Sequence, residues 1–246
     1  MKKESIITCA LLIVLWGLMA LFVHNDILLP GPLMTGERIV ELLTQGSSYR
    51  YVLVSLSRVI KGCFLSVLLA WGISLFSYYF PFVRRLFQPV YQLSKTIPNI
   101  CYIILAIIWL GSEGSVMLVV FFVLFPMSYN QLMFNLDEEP EYLKDIALVY
   151  KEKFSYIFKK KILPSSLPTL LNLLKITLSF GFKIGVMAEI VAQANGGIGR
   201  QLSFARQNLD TVSIFAWTVI VVVLCVLIET GMDKLFQMFN KERRGI

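Results

Sequence analysis

The residues best suited to chemistry in this chain are crowded into one charged segment, residues 137–161. The chain has 23 basic and 16 acidic side chains, and twelve of them lie in this segment. The acids are Asp137, Glu138, Glu139, Glu141, Asp145 and Glu152, and the bases are Lys144, Lys151, Lys153, Lys159, Lys160 and Lys161. Phe154, Ile157 and Phe158 add an apolar stripe at helical spacing. This pattern favours a docking element for a soluble partner; the alternative is a solvated loop with an amphipathic helix on the lipid.

Residues for catalysis or metal binding are sparse. The chain has a single histidine, His24, which cannot by itself build a zinc site or a Ser/His pair. The four cysteines lie far apart in apolar runs and lack metal-ligand spacing: Cys9, Cys63, Cys101 and Cys225. No G-x4-G-K-[S/T] phosphate loop is present. The sequence therefore predicts no enzyme, no metal site and no cofactor bound by this chain.

The composition indicates whether water or lipid surrounds the segments that position these residues. Of the 246 residues, 57% are hydrophobic and 16% are charged, and the mean hydropathy is +0.70. Soluble domains average about 45–50% apolar and about 25% charged residues. One soluble core could not bury this apolar excess, so we expect most of the chain to lie in a membrane.

Six apolar runs approach the length of a membrane span. We predict spans at 6–23, 52–80, 94–110, 115–133, 167–191 and 212–228. An external amphipathic segment at 33–45 follows the first span, and a cytoplasmic loop at 135–164 precedes the fifth. The predicted fold is one all-α polytopic domain over residues 1–246, with six transmembrane helices.

The distribution of lysine and arginine predicts the orientation, because cytoplasmic loops of membrane proteins are enriched in these residues. With the N-terminus inside, fourteen fall in cytoplasmic segments and four in external ones. The external four are Arg38, Arg50, Arg200 and Arg206. This asymmetry, rather than binding to nucleic acid, explains the net charge of +7. We therefore expect both termini on the cytoplasmic side.

Small residues recur at every fourth position in two of the spans. They are Gly62, Ser66, Ala70 and Ser74 in the second span, and Gly181 and Gly185 in the fifth. Small side chains at this spacing let membrane helices approach closely. We predict that they mark helix-packing or dimer faces.

Lys183 stands well inside the fifth span, where a charge facing lipid costs about 2.5–3.5 kcal/mol at the membrane centre. Its ammonium could snorkel to the interface, form an interhelical salt bridge, or line a solute pathway. We predict a translocation pathway that includes Phe182, Lys183 and Glu189, with the lysine attracting an anionic or electron-rich solute.

The charged segment also carries a motif. Asp145-Ile146-Ala147, Lys151 and Leu163-Pro164 resemble the cytoplasmic signature E-A-A-x3-G-x9-I-x-L-P of ABC importer permeases. The first acid and the final proline are nineteen positions apart in both. The chain departs from the signature with Asp for Glu, Ile for the first Ala, Lys for Gly, and an isoleucine one place late.

The resemblance extends over most of residues 28–236 and is closest to the nitrate/sulfonate/taurine-type permeases. It rests on six ordered landmarks: Leu29-Pro30-Gly31-Pro32; Ser57-Arg58-Val59; Arg84-Arg85-Leu86 through Pro89; Ile97-Pro98 with Ile108-Trp109-Leu110-Gly111; Lys175-Ile176 with Ala188-Glu189; and Gly197-Ile198-Gly199.

This resemblance implies a type I ABC importer permease in a bacterial cell membrane. It would pair with a second permease copy or a paralogue, bind cytoplasmic ATPase subunits that hold ATP and Mg²⁺, and receive a small solute from an extracytoplasmic binding protein. The residues it implies for coupling to the ATPase are Asp145, Ile146, Ala147, Lys151, Phe154, Phe158, Leu163 and Pro164.

The rival hypothesis is a stand-alone secondary transporter or channel. Such a protein needs ionisable residues in several spans, whereas we expect well-buried charge in the fifth span alone. No inverted repeat is visible within the chain. The subfamily favours a sulfonate, nitrate or vitamin precursor as solute, and the residues do not choose between these.

Overall fold

The structure is a computed structural model that describes residues 3–137 and 163–244. Every regular element in these ranges is a helix. The helices are α1 Lys3–Val23, α2 Pro32–Thr44, α3 Gly46–Tyr79, α4 Pro81–Thr96, α5 Asn99–Asp137, α6 Leu163–Ala192, α7 Ile198–Gln207 and α8 Thr211–Arg244. The predicted all-α fold is confirmed.

Four of the described helices are long and apolar enough to cross a membrane. Their apolar stretches are Gly46–Tyr79, Asn99–Asp137, Ser166–Ala192 and Thr211–Leu235, and a shorter apolar stretch lies at Ala10–Val23. The predicted fifth and sixth spans fall within α6 and α8, and the predicted second span ends one residue beyond α3. The predicted third span begins in the last turn of α4 and ends just before Gly111 in α5.

The helix α5 reverses direction at Gly111, whose φ of 66° and ψ of −174° are not helical. The rings of Tyr102 and Phe122 lie 6.0 Å apart, and those of Trp109 and Phe122 lie 6.3 Å apart. A straight helix would separate Tyr102 from Phe122 by about 30 Å. Residues 99–110 and 112–137 are therefore two antiparallel arms, which we call the first and second arms of α5.

The core lies where α3, the second arm of α5 and α6 pack together, and small residues set the spacing. A Cβ on Gly62 would lie 2.8 Å from Val120 Cβ, and one on Gly181 would lie 2.7 Å from Cys63 Sγ. A Cβ on Gly185 would collide with Val59. These glycines thus face other helices of the same chain, where a larger side chain would force the helices apart.

The other small residues predicted for packing are also enclosed by the fold. Ser66 and Ala70 are fully buried, as is Ser74 one turn further along α3. Ala70 joins Tyr129, Leu132 and Leu173 in a second apolar cluster toward the Asp137 end of the bundle. The stripe on α3 therefore lies against α5 and α6.

Candidate functional site

A buried carboxylate, Glu189 near the end of α6, is the centre of a polar cluster at one end of the bundle. Its side chain is fully buried, and Arg58 Nη1 donates to Oε1 at 2.9 Å. Ser55 Oγ donates to Oε2 at 2.6 Å, and the backbone N–H of Gly199 donates to the same oxygen at 3.0 Å. Both oxygens are satisfied, as a buried charge requires.

Arg58 connects this carboxylate to two further elements. Its Nη2 pairs with Glu113 Oε2 at the start of the second arm of α5, and donates to the Asn195 carbonyl at 2.8 Å. The N–H of Asn195 donates to Glu113 Oε1 at 2.7 Å, and that of Ile198 donates to Ser55 Oγ at 2.9 Å. The cluster therefore joins α3, α5, α6 and the turn before α7 at the Arg58 end of the bundle.

The glycines of this turn are required by the cluster. Gly196 has φ of 73°, in the left-handed region that favours glycine. A Cβ on Gly197 would collide with the Glu189 carboxylate, and a Cβ on Gly199 would lie 2.7 Å from the Ile190 nitrogen. The turn can close over the carboxylate because these positions lack side chains.

A pocket of about 580 Å³ opens beside the cluster. The first turns of α3 form one wall, including Arg50 and Tyr51, and Asn195 and Gly196 form another. Arg58 belongs to both the pocket and the cluster. The arrangement offers a concave surface at this end, and Arg58 connects it to the buried Glu189 carboxylate.

A second polar feature runs between α6 and α8, and we call it the α6–α8 seam. Lys175 Nζ forms an ion pair with Asp233, and Ser179 Oγ donates to Glu229 Oε1 at 2.8 Å. The helices α6 and α8 are antiparallel, so a residue four positions further along α6 faces a residue four positions earlier in α8. The next step brings the exposed Lys183 level with the buried Cys225.

The residues predicted for the pathway occupy different environments. Lys183 is exposed on the outer surface of the single chain, whereas Phe182 is fully buried against the core. Glu189 is sealed in the cluster and does not border an exposed surface. Of the three, the structure leaves Lys183 alone free to face a lumen in this conformation.

The residues implied for ATPase coupling fall mainly in the segment between α5 and α6. Asp145, Ile146, Ala147, Lys151, Phe154 and Phe158 lie outside the described residues. Leu163 and Pro164 are the first two residues of α6. At that end of the bundle, Arg84 Nη1 and Nη2 pair with the Asp137 carboxylate at 2.9 and 2.7 Å, which anchors the start of the segment to α4.

Arg58 corrects the expectation that only the fifth span carries well-buried charge. Its side chain, in the predicted second span, is only 12% exposed. In the sequence, Arg58 and Glu189 are separate landmarks that no motif pairs, and Ser55 and Glu113 are not among the predicted site residues. The signal was available, because two opposite charges inside apolar runs are expected to find each other.

Comparison with known proteins identifies the architecture. The family of binding-protein-dependent transport system inner membrane components matches residues 62–241, which include Glu189, the glycine turn and the seam. The chain belongs to this family. The permease is therefore a multi-pass membrane subunit of an ABC importer. It is not an enzyme, since the ATPase activity of such importers lies in a separate subunit.

Individual relatives agree with this assignment. The permease is 31% identical over 212 residues to a probable ABC transporter permease protein of Brucella melitensis, covering 86% of this chain and 84% of that one. It is 25% identical to the taurine transport system permease protein of Escherichia coli, covering 94% and 86%. Its fold matches the inward-facing methionine ABC transporter MetNI with a TM-score of 0.67 at 19% identity, covering 82% and 98%.

Proposed function

We propose that the permease crosses the membrane six times with both termini in the cytoplasm, and that it couples solute uptake to a cytoplasmic ATPase at its Asp137 end. Six passes follow if α1, α3, the two arms of α5, α6 and α8 each cross once. The first arm of α5 would do so together with α4, which precedes it. The apolar helices, the reversal at Gly111 and the lysine and arginine distribution support this arrangement.

The observation that carries the proposal is the segregation of charge along the bundle. The Arg84–Asp137 and Lys175–Asp233 pairs lie toward one end, where the charged segment 138–162 leaves and returns to the bundle. The opposite end has the compact Arg58 cluster and its pocket. We assign the Asp137 end to the cytoplasm, since basic segments concentrate there.

The two ends would then serve different partners. The segment 135–164 would dock an ATPase subunit through Ala147 and its neighbours, since it joins α5 to α6 on the side that we assign to the cytoplasm. The Arg58 end would face the extracytoplasmic binding protein, with the pocket open toward it. A second permease, either another copy or a paralogue, would complete the pathway.

This topology can be tested with single cysteines at two exposed positions, Arg206 in α7 and Lys234 in α8. A membrane-impermeant maleimide applied to intact cells is expected to label Arg206→Cys and to spare Lys234→Cys until the membrane is opened. The unsubstituted chain controls for its own cysteines. Labelling of Lys234→Cys in intact cells would overturn the orientation.

The solute we propose is small and anionic, as the sulfonates are. Relatives include permeases named for taurine and for aliphatic sulfonates, and one named for formylaminopyrimidine transport. Lys183 supplies a positive charge on an exposed face of α6, in the part of the chain that crosses the membrane. A charge there is stabilised if it faces water in a pathway rather than lipid.

We expect Lys183→Met to keep assembly and basal ATP hydrolysis but to reduce uptake of an anionic solute. The reason is that methionine keeps much of the length of the side chain but removes the charge. Uptake is measured over a range of solute concentrations, with Lys183→Arg as the charge-retaining control. If Lys183→Met transports as well as the unsubstituted chain at every concentration, Lys183 has no pathway role.

A further inference from the structure

The helix α4 climbs along the bundle instead of lying across its end. Arg84 pairs with Asp137 at the last residue of α5, and the ring of Phe87 lies 5.5 Å from Tyr129 and 6.3 Å from Phe125. Further on, Tyr102 in the first arm of α5 reaches Phe122. On the second arm, these partners lie progressively further from Asp137, about 12, 18 and 22 Å at the helical rise.

The inner face of α4 packs on the bundle, and the side chains on it are half-buried. These are Val83, Phe87, Tyr91 and Ser94. One flank of that face is apolar and exposed, and consists of Phe82, Leu86, Val90 and Leu93. The opposite flank, which we call the polar flank, is also exposed and consists of Arg85, Gln88, Gln92 and Lys95. The two flanks follow from helical periodicity, since residues three and four apart share a face.

The composition of the polar flank determines what it can face. An apolar flank is suited to lipid, but carboxamides and charges in the hydrocarbon region face water or protein. From Arg85 to Lys95 the flank extends about 15 Å along the helix axis. This is too deep for the short side chains of Gln88 and Gln92 to reach the headgroups at the Asp137 end, so the flank needs water or a polar protein surface against it.

The charge of this flank is of one sign. The helix α4 contains three bases, Arg84, Arg85 and Lys95, and no acid. Arg84 is neutralised by Asp137, which leaves Arg85 and Lys95 to set the potential along the flank. The Lys95 ammonium lies over the Tyr91 ring at 4.2 Å, a contact that holds it against α4.

We propose that the polar flank of α4 forms a wall of the solute pathway in its Asp137-end half, and that it binds small anionic solutes on their way through. This inference rests on the proposed function and adds to the proposed pathway a second cationic surface, separate from Lys183. Arg85 and Lys95 provide the attraction, while Gln88 and Gln92 offer amide donors to the oxygens of a sulfonate or carboxylate.

The test compares matched cysteines on the two flanks of α4 in the full chain, in membranes without ATP. Gln88→Cys and Gln92→Cys represent the polar flank, and Leu86→Cys and Leu93→Cys represent the apolar flank. Charged methanethiosulfonate reagents react with thiols in water, so they are expected to modify the first pair and spare the second. Labelling of the unsubstituted chain is subtracted as background.

The sign of the reagent tests the second half of the proposal. At Gln92→Cys, the anionic ethylsulfonate reagent is expected to react roughly tenfold faster, relative to the cationic trimethylammonium reagent, than it does with a free thiol. Removing the nearby charge with Lys95→Gln is expected to reduce this preference. Unreactive cysteines on the polar flank, or no anionic preference, would overturn the proposal.

These outcomes are independent of the ATPase and of Lys183. If the polar-flank cysteines react and Lys183→Met takes up solute normally, α4 lines the pathway and Lys183 does not. If the polar-flank cysteines do not react in a chain that still transports, the proposal for α4 is wrong and the proposed importer function stands.

Discussion

Replacing Glu189 by alanine is expected to destabilise the permease more than removal of an exposed carboxylate would. Removing one partner of a buried ion pair typically costs about 3–5 kcal/mol, because the groups left behind are buried without a partner. Here Ser55 and the N–H of Gly199 would lose their acceptor. Arg58 keeps Glu113 and the Asn195 carbonyl, so we expect a loss near the lower end of this range.

Arg58→Ala is expected to be more damaging than Glu189→Ala. It leaves the fully buried Glu189 without its cation and removes one of the links between α3 and the turn before α7. The double variant Arg58→Met/Glu189→Leu should recover part of the loss, because an apolar pair can replace a buried ion pair. This recovery would distinguish a broken ion pair from general damage to the helix.

The measurement is the thermal unfolding midpoint of the detergent-solubilised permease, followed as the loss of the intact peak in size-exclusion chromatography. The matched control is Glu41→Ala, which removes an exposed pair with Arg38 in α2. Exposed pairs contribute about 0–1 kcal/mol, so the control should shift the midpoint little. Equal shifts for Glu189→Ala and Glu41→Ala would show that the cluster does not stabilise the bundle.

The long apolar helices α3, α6 and α8 could be predicted because long apolar runs have few other stable structures in lipid. The helix α4 could not be found by hydropathy, since Arg84, Arg85 and two glutamines lower its average. The inner face, the apolar flank and the polar flank of α4 can be distinguished only once the structure shows which of its residues are exposed. The reversal at Gly111 lies between the third and fourth spans that the sequence predicts, 94–110 and 115–133.

The polar cluster illustrates why contacts are harder to predict than helices. Arg58 and Glu189 are 131 positions apart, and no periodicity within either helix predicts that they meet. The glycines of the 196–199 turn indicate a tight turn but not the carboxylate that it covers. What the sequence did contain was the combination of opposite charges in two apolar spans, and that signal can be applied to other permeases.

Ala147→Arg is the second substitution for which we expect a large effect, and it is expected to weaken binding of the ATPase subunit. If the segment 138–162 docks in a groove on an ATPase, a bulky charged side chain at its small residue would overpack the contact. Overpacking costs about 1–3 kcal/mol before any charge is desolvated. Since about 1.4 kcal/mol corresponds to a factor of ten in affinity, binding should weaken by roughly tenfold to a hundredfold.

The control for this substitution is Ala147→Ser, which adds a single oxygen and should keep the contact. Both variants should give the same chromatographic profile for the permease itself, since we propose that residue 147 contacts the ATPase subunit. A change in that profile with Ala147→Arg alone would show that the residue supports the fold.

The most direct test of the whole account is ATP hydrolysis that co-purifies with the affinity-tagged permease from its native membrane. The permease has no phosphate loop of its own, so any activity must come from a bound subunit. We expect ATPase activity with the unsubstituted chain and with Ala147→Ser, and its loss with Ala147→Arg. A pure permease without ATPase activity, or activity that persists unchanged with Ala147→Arg, would contradict the account.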